Sequence, residues 1–271
     1  SYDTQVHFPL ALTFSLNAHS NADITKIVLD YKVSQITTIS ITTEVEPQFT
    51  TGSNVETSWV WDMRQNSLPP GAEVQYSWKI EDAAGHELGT PWTSVQFNDD
   101  RYRWKSLKQN NVSLFWYDGD QSFAQELMDF ASLALEKLGQ DTGAYLEREV
   151  SIYIYASAKD LLGALIYPQE WTGGVTFPQY GIIIIGIAPD NLAWGKGAMT
   201  HELAHLVTYQ MTSNPYSDIP TWLDEGHSMY AEGPLDPIFQ SLLDKAISEN
   251  ELFSVQTLSS SFPADPNAAR L

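Results

Sequence analysis

The sequence predicts a multidomain chain: an all-β domain over residues 1–99, then an α+β domain over residues 100–271. Three observations carry this expectation. The first hundred residues hold six or seven short runs rich in Thr, Val, Ile, Trp and Tyr, separated by turn residues. Beyond Asp120 the apolar period switches from two to about 3.6. Between the two regimes lies the polar break Asn98-Asp99-Asp100.

The β runs are 8–16, 24–33, 37–45, 55–63, 73–81 and 93–97. Ser20-Asn21-Ala22-Asp23, Thr51-Gly52-Ser53-Asn54, Leu68-Pro69-Pro70-Gly71 and Asp82-Ala83-Ala84-Gly85 read as the turns between them. Short strands at this spacing predict a sandwich of the immunoglobulin or fibronectin-III type. Trp59, Trp61, Trp78 and Trp92 are expected in its core or at its edges, the alternative being an exposed aromatic strip for carbohydrate.

After the break, Arg101-Tyr102-Arg103-Trp104-Lys105 concentrates positive charge, and residues 104–107 and 112–117 read as a hairpin. Phe123, Leu127, Phe130, Ala131, Ala134 and Leu138 form one helical stripe, with Gly139 and Gly143 as stop signals. A strand is expected at 150–155 and a short helix at 159–166. Two strands, 173–176 and 181–187, flank the turn Phe177-Pro178-Gln179-Tyr180. A helix lies within 190–212 and another over 221–231. Asp236-Pro237 opens a helix to about 248, followed by an irregular stretch at 252–260. Asp265-Pro266 repeats the helix-start signal one turn before Leu271, so the domain is expected to be truncated at its C-terminus, with the native protein continuing further.

The formal net charge of −20 argues against a nucleic-acid partner, which needs basic patches. Without cysteine there is neither a disulfide framework nor a thiolate metal site, so any metal must use His and carboxylate ligands. No apolar run reaches the roughly 18 residues of a membrane span. The chain opens on Ser1, as it would after removal of a leader, and an exported, extracellular or cell-surface location is the expectation.

The chemistry centres on His201-Glu202-Leu203-Ala204-His205, which reads H-E-x-x-H in a helical segment. Residues i and i+4 share a helix face, so the two imidazoles point the same way. Two imidazoles with an adjacent carboxylate are what a water-activating zinc site requires: two ligands and a base. Such a site takes a third protein ligand, and Asp218, Asp224, Glu225 and Glu232 follow downstream. A third His at the metzincin spacing would fall on Met211, which excludes that arrangement.

Glu225 stands 20 positions after His205, within Pro220-Thr221-Trp222-Leu223-Asp224-Glu225-Gly226. Here the sequence resembles the gluzincin metallopeptidases, whose third ligand is a Glu on a second helix. Trp222-Leu223-Asp224-Glu225-Gly226 is similar to the W-L-N-E-G of M1 aminopeptidases. The wider pattern, with H-E-L-A-H-L-V-T and M-Y-A-E-G, resembles the bacterial peptidase MA-like domain family, often found in exported proteins. The resemblance covers about residues 100–271 and implies a zincin-like fold. It implies Zn²⁺ on His201, His205 and Glu225, with Glu202 as general base to a zinc-activated water and a peptide or protein as substrate. The G-x-M-E-N loop of M1 aminopeptidases is absent.

Residues 181–187 stand where zincins place a substrate-pairing edge strand, although four consecutive isoleucines equally suit a buried strand. Tyr230, His227, Tyr209 and Tyr180 are candidates to stabilise the oxyanion; on a helix, His227 would point away from the metal. Asp224 or Glu232 is a candidate to orient a ligating histidine. The alternative function is a cell-surface binding or adhesion protein with a catalytically silent zincin-like domain.

Overall fold

The computed structural model describes residues 1–35, 41–169, 172–214, 216 and 218–258. The chain is a mixed, sheet-rich α+β structure built on one seven-stranded and one five-stranded sheet. The seven strands are β1 (Tyr2–His7), β2 (Ala11–Val33), β3 (Thr43–Val45), β4 (Gly52–Asp62), β5 (Ala72–Asp82), β6 (Glu87–Gly89) and β7 (Thr93–Phe97). Part of the run expected at 37–45 lies outside the described residues.

The turn expected at Ser20–Asp23 is instead a bulge inside β2. This 23-residue strand pairs with β1 and β4 through its first half and with β3 and β5 through its second. The register shifts between His19 and Ile24. An extra residue bends and twists a strand without ending it, so polar residues that read as a turn are absorbed within one strand. The Ser20 hydroxyl donates to Asp82 Oδ2 at 2.6 Å, tying the bulge to the end of β5. The sheet folds over on itself there. Phe14 from the first half of β2 meets Tyr76 of β5 with ring centroids 5.1 Å apart, and Tyr31 from the second half meets Trp61 of β4 at 4.8 Å. Trp61 and Trp78 are buried and Trp59 is half-buried, whereas Trp92 is exposed beneath the Lys32 ammonium.

The second sheet has the order β11-β12-β10-β9-β8, from β8 (Lys105–Gln109), β9 (Val112–Trp116), β10 (Val150–Tyr155), β11 (Gly174–Phe177) and β12 (Ile182–Gly186). Strands β9, β10 and β12 run parallel, while β8 and β11 are antiparallel edges. Helix α1 (Gln121–Thr142) links β9 to β10 and α2 (Ala158–Leu162) follows β10. Gly139 does not end α1: it is buried within the helix beneath the Tyr145 ring, and Gly143 in the left-handed region closes it. Then come α3 (Leu192–Thr212), α4 (Thr221–Glu232), α5 (Pro237–Glu249) and α6 (Val255–Leu258), a single turn where irregular chain was expected. The helix start at Asp265 lies outside the described residues.

Strand alternation sends the two faces of this sheet to different cores. Leu114, Ile152, Ile154, Ile183 and Ile185 pack with Leu127 of α1 and Met199, Leu203 and Val207 of α3. Tyr153, Tyr155, Ile182 and Ile184 pack with Phe8, Leu68, Ala72 and Phe97 of the N-terminal region. Burial on both faces accounts for the unbroken isoleucine run, and places β12 inside the sheet. The cleft edge is β11.

In the polar break, Asn98 and Asp100 are exposed but Asp99 is not. Asp99 is 1% exposed. It accepts from Arg101 Nε at 2.8 Å and Nη2 at 2.6 Å, and from the Tyr155 hydroxyl at 2.9 Å. Arg101 Nη1 also donates to the Gly163 carbonyl at 2.8 Å. A charge can be buried where it is paired and hydrogen-bonded, and here that pairing pins the junction between the sheets.

Candidate metal centre

Helix α3 buries Met199, Leu203, Ala204, Leu206 and Val207 against the sheet and turns its other side to a cleft. His201 and His205, one turn apart, share the cleft side, with ring centroids 4.8 Å apart. Helix α4 seats Ser228 and Ala231 inward, packs on α3, and brings Glu225 over the two rings. Glu225 Oε2 is 3.3 Å from His201 Nε2 and 3.8 Å from His205 Nε2. One donor atom from each of the three residues lies within 4.8 Å of the others.

The opposite ring nitrogens are held as well. His201 Nδ1 is 2.6 Å from Glu232 Oε1. His205 Nδ1 is 3.0 Å from Asp224 Oδ2 and 3.2 Å from the Ser228 hydroxyl. The two carboxylates that the sequence offers as alternatives thus each take a different histidine. Each imidazole is fixed with Nε2 facing Glu225.

Glu202 lines the same cleft on its β11 side and is 8% exposed. Its Oε2 accepts from the Thr176 hydroxyl at 2.6 Å, and that hydroxyl also lies 3.0 Å from the Glu202 carbonyl oxygen. Its Oε1 rests against Gly174, where an added Cβ would sit 2.6 Å away. Sequence reasoning misses both Thr176 and Gly174. Their one signal in the sequence is small residues alternating with Val175 and Phe177 on a short strand.

Burial pulls the His201 imidazole down, but Glu225 and Glu232 outweigh it and push the ring up to about 10. His205 is likewise raised against its burial, by Asp224, Glu225 and Glu202. The hydrogen bond to His201 holds Glu225 below the usual carboxylate range, and burial lifts Glu202 above it. These directions describe the metal-free protein.

The cleft, about 930 Å³, follows α3 from Ala193 to Ser213, with β11 on one side and Asp224, Glu225 and Glu232 on the other. Tyr209 lines it. The other three sequence candidates do not. Tyr230 is 73% exposed, and His227 is turned to Thr208, its Nδ1 2.9 Å from that hydroxyl. Both sit on the part of α4 that rotates away from Glu225. Tyr180 packs towards the N-terminal core.

The donor set suits a cation of the zinc type: two imidazole nitrogens and a carboxylate oxygen converge, and each imidazole is backed by a carboxylate.

Residues 130–271, just over half of the chain, match the Peptidase MA superfamily, and the chain belongs to that superfamily. A search of the curated proteins finds no match. Among solved structures, Astrotactin-2, described as a vertebrate-specific, perforin-like membrane protein, shares 10% identity over 95% of this chain at a TM-score of 0.29. This chain spans 37% of that protein's length. An M1 zinc metallopeptidase from Deinococcus radiodurans shares 12% identity over 93% of this chain and 71% of its own, at a TM-score of 0.26.

Proposed function

We propose that the protein is a zinc-dependent metallopeptidase of the gluzincin type, with His201, His205 and Glu225 as metal ligands and Glu202 as general base. The observation that carries this reading is the convergence of both Nε2 atoms on Glu225 Oε2, at 3.3 and 3.8 Å, with Nδ1 of each ring bonded to its own carboxylate. Superfamily membership supports it. A Zn²⁺ held there would supply Lewis-acid chemistry, polarising the scissile carbonyl and lowering the pKa of a water towards about 7.

The chain's own groups account for the rest. Glu232 and Asp224 hold the rings in register. Glu202 takes a proton from the attacking water and returns it to the leaving nitrogen. Strand β11, at the edge of its sheet and along the cleft, offers backbone groups to an extended peptide. The substrate is a peptide or protein. The N-terminal strands suit an immunoglobulin- or fibronectin-like module over about residues 1–99, and an exported location completes the reading on sequence grounds alone.

Zinc analysis of protein purified without chelator tests this reading. About one equivalent is expected in the wild type and a small fraction of that in His201→Ala. Zinc content that is low in both, or equal in both, contradicts it.

A further inference from the structure

Strand β11 does more than border the cleft. Its alternation divides its side chains between two surroundings. Val175 and Phe177 pack against the core shared with the N-terminal region. Gly174 and Thr176, two residues apart, face α3 and meet the two oxygens of Glu202. From the peptidase reading above, we propose that Thr176 and Gly174 together position the Glu202 carboxylate, Thr176 by holding Oε2 and Gly174 by leaving room for Oε1.

The distances support a division of labour. The Thr176 hydroxyl lies 2.6 Å from Oε2, a short bond of the kind a charged acceptor makes. Its second acceptor, the Glu202 carbonyl 3.0 Å away, keeps the hydroxyl over the same turn of α3. A β-branched Thr is restricted at χ1, so with both acceptors on one turn of α3 the hydroxyl is a fixed point rather than a mobile donor. Oε1 occupies the volume that a side chain at position 174 would fill: an added Cβ would stand 2.6 Å from Oε1 and 3.0 Å from the carboxyl carbon. A side chain there would push the carboxylate out of its seat. The side-chain hydrogen bonds of Thr176 go to Glu202 alone, and the atoms nearest a Cβ at position 174 are those of Glu202, so both act through Glu202 and are positioning residues.

Three variants and one background test this. Thr176→Val keeps the shape and removes the hydroxyl; Thr176→Ser restores the hydroxyl and removes the methyl. Gly174→Ala adds the Cβ. Each is assayed on the best-cleaved peptide of a mixed library, with zinc content measured beside it. Thr176→Val is expected to lower kcat by about 10- to 100-fold with KM within about twofold and zinc unchanged, because misplaced catalytic groups cost rate rather than binding. Thr176→Ser is expected within about threefold of wild type, and Gly174→Ala to fall with Thr176→Val.

A second readout needs neither metal nor activity. In chelator-treated protein, Thr176→Val is expected to lower Tm by about 2–4 °C, as loss of one such hydrogen bond does in a chain of this size. In a Glu202→Ala background that shift is expected to fall by at least half, because the hydroxyl keeps only its longer bond to the residue 202 carbonyl. An equal shift in both backgrounds, a Thr176→Ser variant as impaired as Thr176→Val, or a fully active Thr176→Val would each overturn the proposal. If the wild type cleaves nothing, the peptidase reading fails, and the Tm comparison still decides whether Thr176 acts through Glu202.

Discussion

His201 Nδ1 lies 2.6 Å from Oε1 of Glu232, at the far end of the neighbouring helix. This contact fixes which ring nitrogen faces Glu225. Removing a carboxylate behind a ligating histidine weakens metal binding about 10- to 100-fold while leaving the ligand set intact. Glu232→Gln is expected to show that loss in a competition titration against a chromophoric chelator. Asp224→Asn acts on His205 in the same way. Wild-type zinc affinity in both variants would show that the carboxylates are ordinary surface acids.

The same pairing makes the metal-free protein sensitive to alkali. In the fold, Glu225 and Glu232 hold His201 protonated up to about pH 10 against the pull of burial, from an ordinary value of 6.5. A raised folded-state pKa stabilises fully below the unfolded value and fades as pH rises through the folded one. The Tm advantage of metal-free wild type over His201→Gln is therefore expected to shrink as pH goes from about 6.5 to about 10. Zinc bound as proposed would displace the same proton, so calorimetry in two buffers near pH 7 is expected to show proton release on binding. A pH-independent Tm difference, or binding without proton release, would contradict this.

At the junction of the sheets, the buried Asp99 carboxylate is bonded to the exposed Arg101 guanidinium and to the buried Tyr155 hydroxyl. Asp99→Ala leaves the buried Tyr155 hydroxyl without its acceptor and is expected to cost about 1–3 kcal/mol. Tyr155→Phe removes one hydrogen bond to a charged group and is expected to cost about 1.5–3 kcal/mol. Urea denaturation followed by tryptophan fluorescence measures both. A cost under about 1 kcal/mol for Asp99→Ala would mean that the junction is held by its apolar contacts alone.

Much of the site is legible in the sequence because the residues concerned sit at fixed helical spacing. His201 and His205 share a face by geometry, and α4 carries Glu225 to within 3.3 Å and 3.8 Å of their Nε2 atoms. The split of Asp224 and Glu232 between two histidines is not legible, since it depends on how α4 crosses α3. The same crossing turns His227 to Thr208 and Tyr230 to solvent. Thr176 lies 26 residues before Glu202, and only the return of β11 alongside α3 brings them together. In the fold, element positions follow from periodicity, but the Ser20–Asp23 bulge reads as a turn because turn chemistry and bulge chemistry use the same residues. Asp99 reads only as part of a polar break because sequence gives its charge and not its partner.

The central claim is that Glu202 moves the proton in peptide hydrolysis. Its most direct test is the Glu202→Gln variant, which keeps size and hydrogen-bonding shape but cannot take a proton. On a mixed peptide library read by mass spectrometry, the wild type is expected to cleave. The variant is expected to hold the same zinc and to cleave about 10²–10⁴-fold more slowly. A zinc-loaded Glu202→Gln protein that cleaves at the wild-type rate would contradict it.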